Sequence, residues 1–273
     1  MKRGTLATVA ALTLISGNAN AAFSGTFSLS SDYDYRGFSQ SAEDFAVQGS
    51  LEYGHDSGFY ACAWGSTLDW GQASDADIEI DYFVGFSREF GGSGISWDVG
   101  YLAYTYPGLS SANCGEFYGG FSWDAFSLKL SYSDDFAGVG QSVWYIDGGY
   151  KYKWVNGWRV FVYGGYSFGN AFDRDNGMAF GFPELWNYGV GAGYAIHKLY
   201  FEAKVVSTDL NAPFKVDDGV FANDLPKCEA RCSVTAPCVT LPPTSMWSCA
   251  KPDRTNCKLE NRDNILQSFE LKK

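Results

Sequence analysis

Residues 126–133, Phe-Ser-Leu-Lys-Leu-Ser-Tyr-Ser, alternate apolar and polar side chains without a break. Successive side chains of a β-strand point to opposite faces, so this segment has one apolar and one polar face. The same period of two recurs along the chain and predicts strands at about 23–35, 44–54, 59–69, 77–88, 95–106, 116–123, 125–133, 142–154, 158–168, 186–197, 199–209 and 263–271. The connections alternate in length. Short links follow the even-numbered strands: His55 to Gly58, Glu89 to Gly94, Asp124, Val155 to Gly157, and His197 with Lys198. Longer ones follow the odd-numbered strands: 36–43, 70–76, 107–115, 134–141, 169–185 and 211–262. An even strand number, with short turns at one end and long loops at the other, is the plan of an outer-membrane barrel. The expected fold is therefore all-β, an antiparallel transmembrane β-barrel of about twelve strands with short periplasmic turns and longer extracellular loops. A soluble β-sandwich shares the period but supplies no reason for loop lengths to alternate.

The apolar parity of each strand is expected to face lipid. It comprises Phe23, Phe27, Leu29, Tyr33 and Tyr35 on the first strand, Ile95, Trp97, Val99 and Tyr101 on the fifth, Val160, Val162, Tyr166 and Phe168 on the ninth, and Tyr188, Val190, Tyr194 and Ile196 on the tenth. Cys62 falls on the parity of Tyr60 and Trp64 and reads as a small lipid-facing residue. Trp144, Tyr152, Trp154 and Trp158 suit an interfacial girdle. Gly149, Gly165, Gly189, Gly191 and Gly193 lie on the other parity, where small residues would leave a lumen open or let strands bend.

The opening residues change the domain reading. Lys2 and Arg3 precede an apolar stretch from Leu6 to Ile15 that ends in Ala19-Asn20-Ala21, the form of a secretory signal cleaved after Ala21. The expected organisation is a signal peptide at 1–21 and a barrel at 22–273, with 211–262 a cysteine-rich extracellular loop inside it. No other apolar run is long enough to cross a bilayer as a helix. The 273 residues carry 31 Asp and Glu against 20 Lys and Arg, a net charge of −11, which argues against nucleic acid as a partner.

On the proposed inward parity lie Asp32, Asp34, Glu52, Asp77, Glu79, Asp81, Asp98, Glu116 and Asp147, opposed by Lys129, Lys151, Lys153, Arg159 and Lys204 on later strands. Walls of opposite sign would orient dipolar or cationic solutes, or would pair with each other and close a narrow barrel. Arg36, beside Gly37, reads either as a constriction residue or as a structural partner of Asp32 or Asp34. No catalytic constellation is found: the only histidines, His55 and His197, fall in turns, and two isolated histidines do not make a metal site. No enzyme activity, cofactor or metal is expected. Cys114, Cys228, Cys232, Cys238, Cys249 and Cys257 fall in predicted extracellular loops; in an oxidising periplasm they are disulfide candidates, and six cysteines leave fifteen pairings open.

Ser31-Asp32-Tyr33-Asp34-Tyr35-Arg36-Gly37-Phe38-Ser39-Gln40-Ser41 resembles the Gcw_chp family, as do Ala46 to Gly49, His55 to Ala61, Trp97 to Tyr101, Tyr104 to Gly108, Gly115 to Gly120 and Tyr145 to Tyr150. The resemblance covers about residues 23–210 and implies a bacterial outer-membrane protein with no assigned catalytic or binding residues. The end departs from the family pattern, closing on Phe269-Glu270-Leu271-Lys272-Lys273 instead of an aromatic residue. The expectation is an outer-membrane barrel in contact with lipid, porin-like, passing small polar solutes through an acidic lumen. The alternative is a non-conducting surface protein whose disulfide-stapled loop caps the barrel and binds a protein partner.

Overall fold

The computed structural model describes residues 21–71, 74–173 and 184–209, together with the backbone of 17–18, 221–222 and 227–235. The fold is carried by β1 (Ala21–Ser30), β2 (Ala46–His55), β3 (Phe59–Thr67), β4 (Ile78–Glu89), β5 (Ile95–Thr105), β6 (Cys114–Trp123), β7 (Phe126–Ser133), β8 (Val143–Lys153), β9 (Trp158–Phe168), β10 (Leu185–Ile196), β11 (Leu199–Thr208) and β12 (Lys227–Thr235). Every pairing is antiparallel between sequence neighbours, except that β1 pairs with β12 as well as with β2. The pairs therefore run in a circuit, and each strand has a neighbour on both sides, which leaves no long row of unpaired backbone groups.

Burial along β7 is the reverse of a soluble protein's. Phe126, Leu128 and Leu130 are 55%, 52% and 42% exposed, whereas Ser131 and Ser133 are buried. The same inside-out alternation places Val84, Val99, Phe117, Phe121, Val162 and Val190 outside. A β-sandwich would bury this parity.

Eleven of the strands lie where the alternation places them, and the departures have physical causes. β1 stops at Ser30, so Tyr33 and Tyr35 belong to an inward-turning segment and not to an outward strand face. The circuit is completed by Lys227–Thr235 and not by 263–271, which lies outside the described residues. In Lys-Cys-Glu-Ala-Arg-Cys-Ser-Val-Thr the apolar positions are small, so its alternation is faint in sequence, although the ladder pairs Leu199 with Val234 and Phe201 with Cys232. Cys228 and Cys232 thus lie on a strand and not in a long loop.

On β3 the inferred faces are exchanged. Tyr60 and Cys62 are buried inside and Phe59 is exposed outside. Apolar parity marks lipid only where the interior is wet; here the interior accepts large apolar side chains, so both parities of β3 are apolar.

The glycines have a related explanation. A Cβ at Gly85, Gly100, Gly165, Gly189, Gly191 or Gly193 would come within 3.0 Å of Tyr60, Tyr118, Tyr145, Tyr163, Phe161 or Tyr200 respectively. Each of these rings reaches from an adjacent strand and lies across the glycine backbone. The room that glycine leaves is filled by aromatic side chains, contrary to the expectation of an open wall.

Candidate functional site

After Ser30 the chain folds into the circuit. Asp32 accepts hydrogen bonds from the hydroxyls of Ser39 and Ser41 at 2.6 and 3.3 Å, and the Ser41 hydroxyl accepts from the Tyr33 backbone N–H at 2.9 Å. These bonds close a tight loop in which Asp34–Tyr35 pairs with Phe38–Ser39. The reversal requires left-handed backbone at Arg36 (φ 50°) and Gly37 (φ 92°). A side chain at Gly37 would also collide with Thr208 on β11, so glycine is needed there for both conformation and space.

The loop carries Arg36 to the opposite wall. Its Nη2 lies 2.5 Å from Glu116 Oε2 on β6, with both side chains buried. The guanidinium carbon lies 4.1 Å from the ring centre of Tyr145, 4.9 Å from Tyr35 and 5.3 Å from Phe136. An arginine held by a carboxylate and aromatic faces in a dehydrated site is strongly fixed, because losing one partner strands the other charge.

Around this pair the loop is tied down by tyrosines. Tyr33 and Tyr106 donate to the two oxygens of Glu79, at 2.7 and 2.9 Å, and the hydroxyls of Tyr35 and Tyr104 are 2.9 Å apart. Burial, followed by the charge of Glu79, raises the Tyr33 and Tyr106 hydroxyls well above their ordinary range, which keeps them protonated as donors. Above the loop an apolar layer of Val143, Ala171, Phe172 and Leu185 is joined by Phe38, Phe136 and Val139. The long-loop half of the interior is therefore packed.

The sequence-predicted residues divide along the axis. Asp32, Asp34, Arg36, Glu79, Asp81, Glu116 and Asp147 gather in the packed half, with Lys204 4.0 Å from Asp34 and Lys129 3.9 Å from Asp147. Towards the short-turn end, Glu52 accepts from Ser24 and Ser50, and Asp98 accepts from Tyr60 at 2.7 Å. Lys151 and Arg159 are only half-buried, Arg159 lying 4.7 Å from the ring centre of Tyr200. Asp77 and Lys153 are exposed and do not join the interior. Among the described strands, the buried charged side chains of β2 to β6 are all acids, while β7 to β11 supply the lysines and Arg159 together with Asp147 and Glu202.

His55 and His197 lie at short turns, and among the described residues no three acidic, histidine or cysteine side chains are placed to hold a metal ion. Among the described residues Cys114 is a free thiol packed against the interior apolar cluster. It behaves as a small apolar residue, like Cys62. The side chains of Cys228, Cys232, Cys238, Cys249 and Cys257 lie outside the described residues. Sequence reading missed Tyr33, Tyr35, Tyr104, Tyr106 and Tyr145 as site residues. Tyr35 directly precedes Arg36 and Tyr33 lies three positions before it in Tyr33-Asp34-Tyr35-Arg36, and that proximity was the available signal.

The family model for Gcw_chp, described as bacterial protein of unknown function, matches residues 16–166. The chain belongs to the Gcw_chp family. No curated protein matches the chain in sequence. Among solved structures it is similar to a NanC porin, with a TM-score of 0.52, 14% identity, and coverage of 78% of this chain and 98% of that one. It is also similar to a KdgM porin in complex with disordered oligogalacturonate, with a TM-score of 0.46, 10% identity, and coverage of 79% and 96%. At 14% identity the likeness to the NanC porin speaks for fold alone: this Gcw_chp chain is an antiparallel all-β protein with a fold similar to that porin's.

Proposed function

We propose that this chain is a non-enzymatic porin-like protein of the bacterial outer membrane that passes small polar solutes through an acidic lumen, with the inward loop at 31–45 as its constriction. The observation that carries the reading is the inside-out alternation, with Leu128 52% exposed and Ser131 buried. Such a surface is stable in hydrocarbon and costly in water. The fold similarity to a NanC porin supports the same location. Half-buried Lys151 and Arg159, with Glu202 beside Lys151, and the inward Asp98 and Glu52 line the interior with charges of both signs, which favour polar and dipolar solutes over apolar ones. Liposome swelling tests the proposal: vesicles holding the purified protein should admit small polar solutes faster than protein-free vesicles, and equal rates would contradict passage.

The membrane placement makes its own prediction. Val190 lies mid-strand on the outer surface and is 58% exposed. Arginine near a bilayer midplane costs roughly 2–4 kcal/mol. Val190→Arg should therefore lower the folding free energy measured by denaturant titration in lipid vesicles by about that amount, whereas an effect near zero would place this face in water.

A second reading, a non-conducting surface barrel, is favoured by the complete burial of Tyr33 and the apolar layer above the loop. It predicts that vesicles stay impermeable while the protein is fully folded.

A further inference from the structure

The buried interior holds more acidic side chains than basic ones. Among the described residues seven carboxylates are buried against two cations, Arg36 and Lys204. Both oxygens of Asp81 and of Asp147 lack a hydrogen-bond partner, but Asp147 has Lys129 at 3.9 Å, whereas Asp81 is completely buried with no cation paired to it among the described ion pairs. An ionised carboxylate in that position is strongly unfavourable unless a cation reaches it.

The surroundings indicate which cation. Asp81 points inward from β4, on the face that carries Glu79 two residues earlier. Its register partners are Trp64 on β3 and Tyr104 on β5. The Tyr33 ring of the inward loop stands 5.6 Å from the Trp64 ring. A carboxylate flanked by aromatic residues is the chemistry that recognises an organic ammonium, by charge on one side and ring faces on the other.

We propose that Asp81 is the binding station for an ammonium-bearing solute that enters as the Arg36 loop moves aside. The inference rests on the porin-like reading for the route of entry and adds the solute class. The incoming cation supplies the positive charge that the enclosed acids lack. Displacing the loop breaks the Arg36–Glu116 pair, so the solute must also satisfy part of what Arg36 leaves behind. That requirement selects for cations and against neutral solutes of the same size.

The test uses the full-length protein in detergent micelles, titrated calorimetrically with methylammonium chloride against a sodium chloride reference, so that binding is read without any conduction. Asp81→Asn keeps the shape and removes the carboxyl group that an incoming cation would pair with, so the fold should survive. Wild type should bind methylammonium, and Asp81→Asn should weaken binding by about tenfold or more, the worth of one charge-assisted contact. Asp77→Asn, at an exposed acid that does not join the interior, should leave it unchanged. Trp64→Leu, which retains the carboxylate, should weaken it severalfold. Equal affinity in wild type and Asp81→Asn would overturn the proposal, as would the absence of binding in wild type. If binding depends on Asp81 while vesicles remain impermeable, the porin-like reading fails and the site stands.

Discussion

Replacing Arg36 with alanine should raise single-channel conductance severalfold and make the open level fluctuate. Arg36 anchors the inward loop across the interior, bound to Glu116 at 2.5 Å and set against Tyr145. Its loss leaves Glu116 buried without a counter-charge, which typically costs about 3–5 kcal/mol. The least expensive relief is for the loop to withdraw and water to reach Glu116, which widens the narrowest part of the interior. The double variant Arg36→Ala with Glu116→Gln should recover much of the wild-type closure, because no buried charge then remains to be hydrated. If both single and double variants conduct like wild type, Arg36 has no part in the constriction.

Gly165→Val should destabilise the barrel and loosen the same loop from a distance. A Cβ at Gly165 falls on the end of the Tyr145 ring, which also donates to Asn187 at 3.1 Å and lies against the Arg36 guanidinium. Overpacking of a filled interior usually costs about 1–3 kcal/mol, and branching at Cβ adds to the obstruction. The substitution should lower the thermal midpoint in micelles and, in bilayers, reproduce part of the Arg36→Ala conductance increase. Gly148 lies on the neighbouring β8, and a Cβ there makes no contact closer than 3.3 Å. Gly148→Ala should therefore be much milder. Equal effects at the two positions would show that the glycine-and-ring packing is not what holds Tyr145 in place.

The fold was legible wherever one parity stayed polar. On β7 the serines and Lys129 alternate with Phe126, Leu128 and Leu130, and the assignment of faces agrees with the structure. It failed on β3, where Tyr60, Cys62 and Trp64 look inward while Phe59 looks outward, because a filled interior removes the polar signal that marks the inner face. It failed at Tyr33 and Tyr35 for a different reason: alternation continues past Ser30, but the chain has already turned inward, and period two does not report a change of direction. The final strand was hidden by composition, since Cys and Ala make an apolar face too slight to stand out.

The candidate site was half legible. The acids Asp32, Asp34, Glu79, Asp81, Glu116 and Asp147 were found from parity and Arg36 from its place beside Gly37, and all are buried inside. Their partners could not be chosen from sequence: Arg36 bonds Glu116, eighty positions away, and not Asp32 or Asp34 in its own loop. Such a pairing depends on the depth at which a loop enters, which follows from the packing of Phe38, Phe136 and Tyr145 and not from any local motif.

The central claim is that the inward loop throttles a lumen running through the circuit of strands. It is tested most directly by paired single-channel recordings in one planar bilayer, comparing the wild-type chain with one in which residues 32–44 are replaced by a short Gly-Ser turn. Small steps from wild type and severalfold larger, steadier steps from the shortened chain are expected. Identical steps from both would contradict the loop as the constriction, and silence from both, with each protein folded, would contradict the lumen as a conduit.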